Sequence, residues 1–135
     1  MSKYLFFFGL TLLTINSFAQ TQLEMNEESY RSYKKVDDEL GVVYKKILMK
    51  YTKNIEFINA LKASERLWIQ FRDAELKMMY PAADKRMAYG SMYPMCVNYY
   101  MAELTEKRVE QLKTWLNPVR DGESCTGSIG NFEPY

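Results

Sequence analysis

Glu65 and Glu75 are the residues of this chain with the types and spacing for chemistry. They bracket the segment "ERLWIQFRDAE", in which Trp68, Ile69 and Phe71 alternate with charges. Two carboxylates flanking a cleft, one kept protonated by an apolar setting, are the machinery of glycan hydrolysis. The competing reading is internal bracing. Arg72 lies between the two acids, and a neighbouring guanidinium favours the charged carboxylate, which works against a general acid. Other chemistries have less to build on. The chain has no histidine, which excludes His-dependent triads and the commonest zinc ligand. Its two cysteines, Cys96 and Cys125, do not make a metal site, and a cysteine nucleophile would have no histidine to activate it. No catalytic residue, cofactor or metal is expected, and the chain is read as a non-enzyme.

The elements that carry these residues are helical. Leu23, Tyr30, Tyr33, Val36, Leu40, Val43, Tyr44, Ile47 and Tyr51 recur at spacings of three and four, the pattern of an amphipathic helix reaching to about residue 50. Thr21 and Glu24 form a candidate capping box at its start. After the polar break Thr52-Lys53-Asn54, a second helix is predicted over roughly 55–79, ending before Pro81. A loop with a helical turn in its middle follows. The third helix is predicted from Ser91, a candidate N-cap, with Pro94 tolerated in the first turn, to about Asn117, where Pro118 closes it. The Gly-rich remainder reads as an extended, flexible tail. The expected fold is therefore all-α: an antiparallel bundle of three long helices, with a short loop or helical turn before the third and an extended C-terminal tail.

A helical wheel of the second helix places Phe57, Leu61, Trp68, Phe71 and Met79 in one arc, together with Glu65, Arg72 and Glu75. Arg66, Asp73 and Lys77 fall opposite. On the third helix Arg108 lies within the face made by Val97, Tyr100, Leu104, Leu112 and Trp115, and on the first Asp37 borders the apolar stripe. The wheel thus predicts a structural polar core of Asp37, Glu65, Arg72, Glu75 and Arg108. Because an isolated buried charge costs several kcal/mol, its members should pair with one another.

The N-terminus reads as a leader. Lys3 precedes an apolar run from Tyr4 to Ile15, then Ser17-Phe18-Ala19, the layout of a signal peptide cleaved after Ala19. The run is short for a membrane span. The division expected is a signal peptide over 1–19, a helical domain over 20–117 and a flexible tail over 118–135, in a periplasmic or secreted protein. Loss of Lys3 brings the basic residues from 18 to 17, equal to the 17 acidic ones, so the chain has no electrostatic signature for nucleic acid.

Taken together, "TQLEMN", "KVDDELGVVY", "LKASERLWIQFRDAE", "GSMYPM" and "LTEKRVEQL" resemble the LprI-type lysozyme inhibitor family over about Thr21 to Leu116. The matching positions are Gln22, Glu24, Met25, Asn26, Tyr33, Asp37, Leu40 and Tyr44, then Arg66, Trp68, Arg72, Asp73 and Glu75, then Gly90, Ser91, Pro94, Leu104, Thr105 and Arg108. The resemblance implies an all-helical, exported, non-enzymatic protein that inhibits lysozyme. It also implies cysteines where this chain has Glu28, Leu76 and Tyr100. Cys96 and Cys125 depart from that pattern. A continuous third helix places Asn117 about 31 Å from Cys96, and the eight residues from there to Cys125 reach at most about 28 Å. A disulfide-linked dimer is the alternative pairing in an oxidising compartment.

The expected partner is a lysozyme-type glycan hydrolase, bound directly. The acidic stretch Glu24–Glu39 suits a cationic enzyme. The loop Ala82–Met92, with Lys85, Arg86, Tyr89 and Ser91, suits insertion into a carboxylate-lined cleft. The alternative function is a cell-envelope module that binds peptidoglycan or another secreted protein without inhibition, using aromatic faces.

Overall fold

The computed structural model describes residues 5–117 and 124–133, with side chains from residue 21 on. Pro118 and the first four residues of the expected leader lie outside the described residues. Among the described residues every regular element is helical: α1 spans Leu5–Lys50, α2 Ile55–Met79, α3 Lys85–Tyr89 and α4 Tyr93–Lys113, followed by a 3₁₀ turn over Thr114–Leu116. No described helix is long and apolar enough to cross a membrane.

Each boundary has a local cause. The Asn54 side chain accepts from the Phe57 N–H at 3.0 Å and starts α2. Tyr80 closes it by donating to the Leu76 carbonyl at 3.0 Å, and Pro81 keeps Tyr80 out of helical backbone. Asp84 caps α3 by accepting from the Met87 N–H at 2.8 Å. Pro94 sits in the first turn of α4, where its missing N–H costs nothing. Two expected caps are not used. α1 runs straight through Thr21–Glu24, so that box starts no helix in the full chain. Met92, not Ser91, occupies the N-cap of α4, without a side-chain bond.

The core joins α1 residues Leu40, Val43, Ile47 and Tyr51 to Phe57 and Leu61 of α2 and to Val109 and Leu112 of α4. Asn98 on α4 donates to the Ser29 hydroxyl at 3.0 Å, and Lys50 donates to the Leu116 carbonyl at 2.8 Å. α1 and α4 therefore run side by side in the same sense, in close backbone approach. α2 stands farther off, because Trp68, Arg72 and Arg108 lie between it and its neighbours.

That spacing corrects part of the expected core. Phe57 and Leu61 are buried as the wheel required, but Phe71 and Met79 are exposed, at 54% and 49%. The tail also differs from the expected extended form. Residues 124–133 make turns and dock on the base of the bundle. The Gly130 N–H donates to the Tyr51 hydroxyl at 3.0 Å, Asn54 donates to the Glu133 carbonyl at 3.1 Å, and Phe132 meets Tyr51 edge-on at 4.9 Å.

Two glycines give opposite expectations. A Cβ on Gly41, inside α1, would meet nothing within 4 Å, so Gly41→Ala should stabilise by about 0.5–1 kcal/mol through helix propensity. Gly90 ends α3 at φ 74° and ψ −168°, backbone almost restricted to glycine. Gly90→Ala should therefore destabilise by about 1–3 kcal/mol. Paired urea unfolding curves test both signs.

Candidate functional site

Two groups of polar side chains stand out, one inside the bundle and one at its tip. The inner group centres on Arg108, whose side chain is only 8% exposed. Its Nε and one terminal nitrogen donate to the same oxygen of Glu65 at 3.1 and 2.9 Å. The remaining bonds go to Ser64 Oγ at 3.1 Å and Gln111 Oε1 at 2.7 Å. Antiparallel packing of α2 on α4 makes this possible, since it sets the Glu65 turn beside the Arg108 turn. Trp68 lies between two guanidinium groups, with Arg72 5.3 Å and Arg108 5.9 Å from its ring.

The other expected core groups are dispersed. Arg72 pairs with Asp73, the residue the wheel had turned to solvent, at 3.0 Å. The wheel treats side chains as radial spokes, whereas a guanidinium reaches around the helix to its neighbour. Glu75 accepts from the Tyr100 hydroxyl at 3.3 Å, away from Glu65. Asp37 is half-buried near Tyr33. Burial pushes the Tyr33 phenol up, the Arg72 charge opposes this, and Asp37 adds to it. Glu65 and Glu75 thus bind separate partners, Arg108 and Tyr100.

At the tip, Tyr80, Tyr89 and Tyr93 form a ring cluster. Tyr80 meets the other two edge-on at 5.1 Å, and Tyr89 stacks on Tyr93 at 5.8 Å. The Tyr89 hydroxyl accepts from the Ala82 N–H at 3.0 Å, and the Lys85 ammonium donates to the Tyr80 carbonyl. Lys85 and Tyr89 therefore hold α3 in place, while Arg86 and Ser91 are exposed. Met87 beside them is 86% exposed. Sequence reasoning passed over Met87, because an apolar residue on a five-residue helix has no period to betray its orientation.

Below the Arg108 group, a cavity of about 350 Å³ opens between α2, α4 and the docked tail. Phe57, Leu61, Leu112 and Trp115 form its apolar walls, Arg108 its back, and residues 125–128 its lip. Nothing in the sequence pointed to it, since it exists only once the tail has folded back. Cys125 is on this lip, at the opposite end of α4 from Cys96, and both thiols are free. Among the described residues, no three His, Cys, Asp or Glu side chains converge to hold a metal ion.

Comparison with known proteins decides the lineage. The family described as "Lysozyme inhibitor LprI" matches residues 16–112. The chain belongs to the LprI family. That match takes in α2, α3, nearly all of α4 and most of α1, so the polar layer and the tip lie within the matched region, while the docked tail lies beyond it. A relative from Rhizobium meliloti (strain 1021), itself uncharacterized, is 31% identical over 106 residues, covering 70% of this chain and 73% of its own. No solved structure matches.

Proposed function

We propose that the protein is exported and inhibits a lysozyme-type peptidoglycan hydrolase by direct binding, with the α3 tip as the contact. Membership of the LprI family carries this reading. Export is supported by the leader-like run before Ala19. The scaffold proposed is an antiparallel bundle of three long helices that presents α3 at one end.

The tip has the properties an inserting element needs. It is short, held by three tyrosine rings and a capped start, and carries Arg86 and Met87 outward. A cation suits a cleft built on carboxylates, and a braced loop loses little entropy on binding. Ser91, also exposed, borders this surface. Lys85 and Tyr89 support the tip from behind. The acidic face of α1 serves long-range steering, since Glu24 and Glu28 are exposed there.

Titration of the purified protein against a panel of lysozymes, following cell-wall lysis and complex formation together, tests the reading. Stoichiometric inhibition is expected for at least one enzyme class. Arg86→Glu combined with Met87→Ser should weaken it on the order of 30-fold, as loss of a central contact does. Full inhibition by that variant would move the contact off the tip. The envelope-module reading rests on exposed aromatics such as Tyr30 and Tyr99, 54% and 48% exposed. Sedimentation with insoluble peptidoglycan, without any lysozyme effect, would favour it.

A further inference from the structure

The outward side of α2 carries Ala60, Ala63, Leu67, Phe71, Ala74 and Met78 at spacings of three and four. This is an uncharged stripe about 27 Å long. Leu67, Phe71 and Met78 are 64%, 54% and 68% exposed, because the opposite side of α2 already supplies Leu61, Glu65 and Trp68 to the bundle. We propose that a second copy of this chain covers the stripe, with α2 packing antiparallel against α2 about a two-fold axis between Leu67 and Phe71.

The stripe is complementary to itself under that operation. Leu67 of one copy meets Phe71 of the other, and the reverse, at the centre. Met78 meets Ala60 at either end, large against small, as interdigitating helices require. Ala60 and Ser64 also rim the Arg108 cavity, so the second copy's Met78 stands at its mouth.

The charges along one border agree. Arg66 and Asp73 lie at matching heights on either side of the axis, so each faces the other's counterpart and the dimer gains two symmetric ion pairs. Arg66 is exposed and has no ion pair among the described residues. Asp73 uses only Oδ1 for both bonds to Arg72, leaving Oδ2 available. Gln70, exposed on the same border, meets itself across the axis.

A single pair of helices of this length is at the low end of specific interfaces, roughly 1,200 Å² in total, so a dissociation constant on the order of micromolar is expected. Sedimentation equilibrium of the purified protein from about 1 to 100 µM spans that range. A reversible monomer–dimer equilibrium is the expected result. Leu67→Glu with Phe71→Glu should leave a monomer with unchanged helical circular dichroism, since both side chains are exposed. Arg66→Asp and Asp73→Arg should each weaken the dimer by about tenfold, and the two together should restore it. A monomer at every concentration, or a dimer indifferent to these changes, overturns the proposal. So does a monomeric protein whose lysozyme inhibition, if present, is lost in Phe71→Glu, because the stripe would then belong to the enzyme. The dimer does not depend on the inhibitory reading.

Discussion

Arg108→Met lowers the free energy of unfolding by about 3–5 kcal/mol, the cost of leaving a buried carboxylate without its partner. Glu65 is 13% exposed and takes both of its Arg108 bonds on one oxygen. Ser64 and Gln111 lose their partner in the same step, and Trp68 loses one of its two guanidinium neighbours. Methionine keeps most of the side-chain volume, so cavity formation contributes little. Urea unfolding followed by tryptophan fluorescence measures the loss. The double variant Arg108→Met with Glu65→Leu should recover most of it, since an apolar pair of similar shape avoids the desolvation penalty altogether. A loss below about 1 kcal/mol in the single variant would mean that water reaches the pair and that it behaves as a surface bridge.

Tyr51 is the second position of large effect. It is fully buried, stacks on Phe57 at 4.1 Å and meets Phe132 at 4.9 Å. Its hydroxyl lies 3.1 Å from the carbonyl oxygens of both Trp115 and Ser128, which share its one proton, and accepts from Gly130. Tyr51→Ala removes an aromatic core side chain and should cost about 3–5 kcal/mol. Tyr51→Phe keeps the ring and deletes the junction, at about 1–3 kcal/mol. The two variants separate packing from tail attachment. Hydrogen exchange at the Gly130 amide should rise in Tyr51→Phe while the α1 and α4 amides stay protected. Unchanged protection at Gly130 would place the tail's attachment elsewhere, on Asn54 and Phe132.

Much of this architecture was legible from spacing alone. The apolar positions from Leu40 to Tyr51 recur at three and four residues and are the ones that α1 buries. Asn54 and Pro81 punctuate α2 where the sequence places a polar break and a residue that cannot continue a helix. Arg108 was readable as an inward charge because apolar residues surround it on the wheel, and the need to pair it follows from elementary electrostatics. Its choice of Glu65 was not readable. Glu75 shares the same arc of α2 but lies nearly three turns farther along the axis, beside Tyr100, and only the register of α2 on α4 distinguishes the two.

The exposure of Phe71 has an identifiable cause. α2 carries two apolar stripes, one through Leu61 and Trp68 and one through Leu67, Phe71 and Met78. A wheel sums them into a single broad direction, which is why Phe71 was turned inward. Helical periodicity is a property of the chain by itself, because each turn's geometry is local. Which of two apolar faces meets the core depends on where neighbouring helices stand, and α4 with its Arg108 stands against the first. The tail follows the same division. Its glycines and polar residues announce the absence of a helix, but only the assembled base of the bundle offers Tyr51, Asn54 and Lys50 for it to bind. The sequence by itself determined the helices, their ends and the charges that must be paired. The tertiary structure decided the partners, the exposed stripe and the docked tail, since each depends on surfaces distant in sequence and adjacent only after folding.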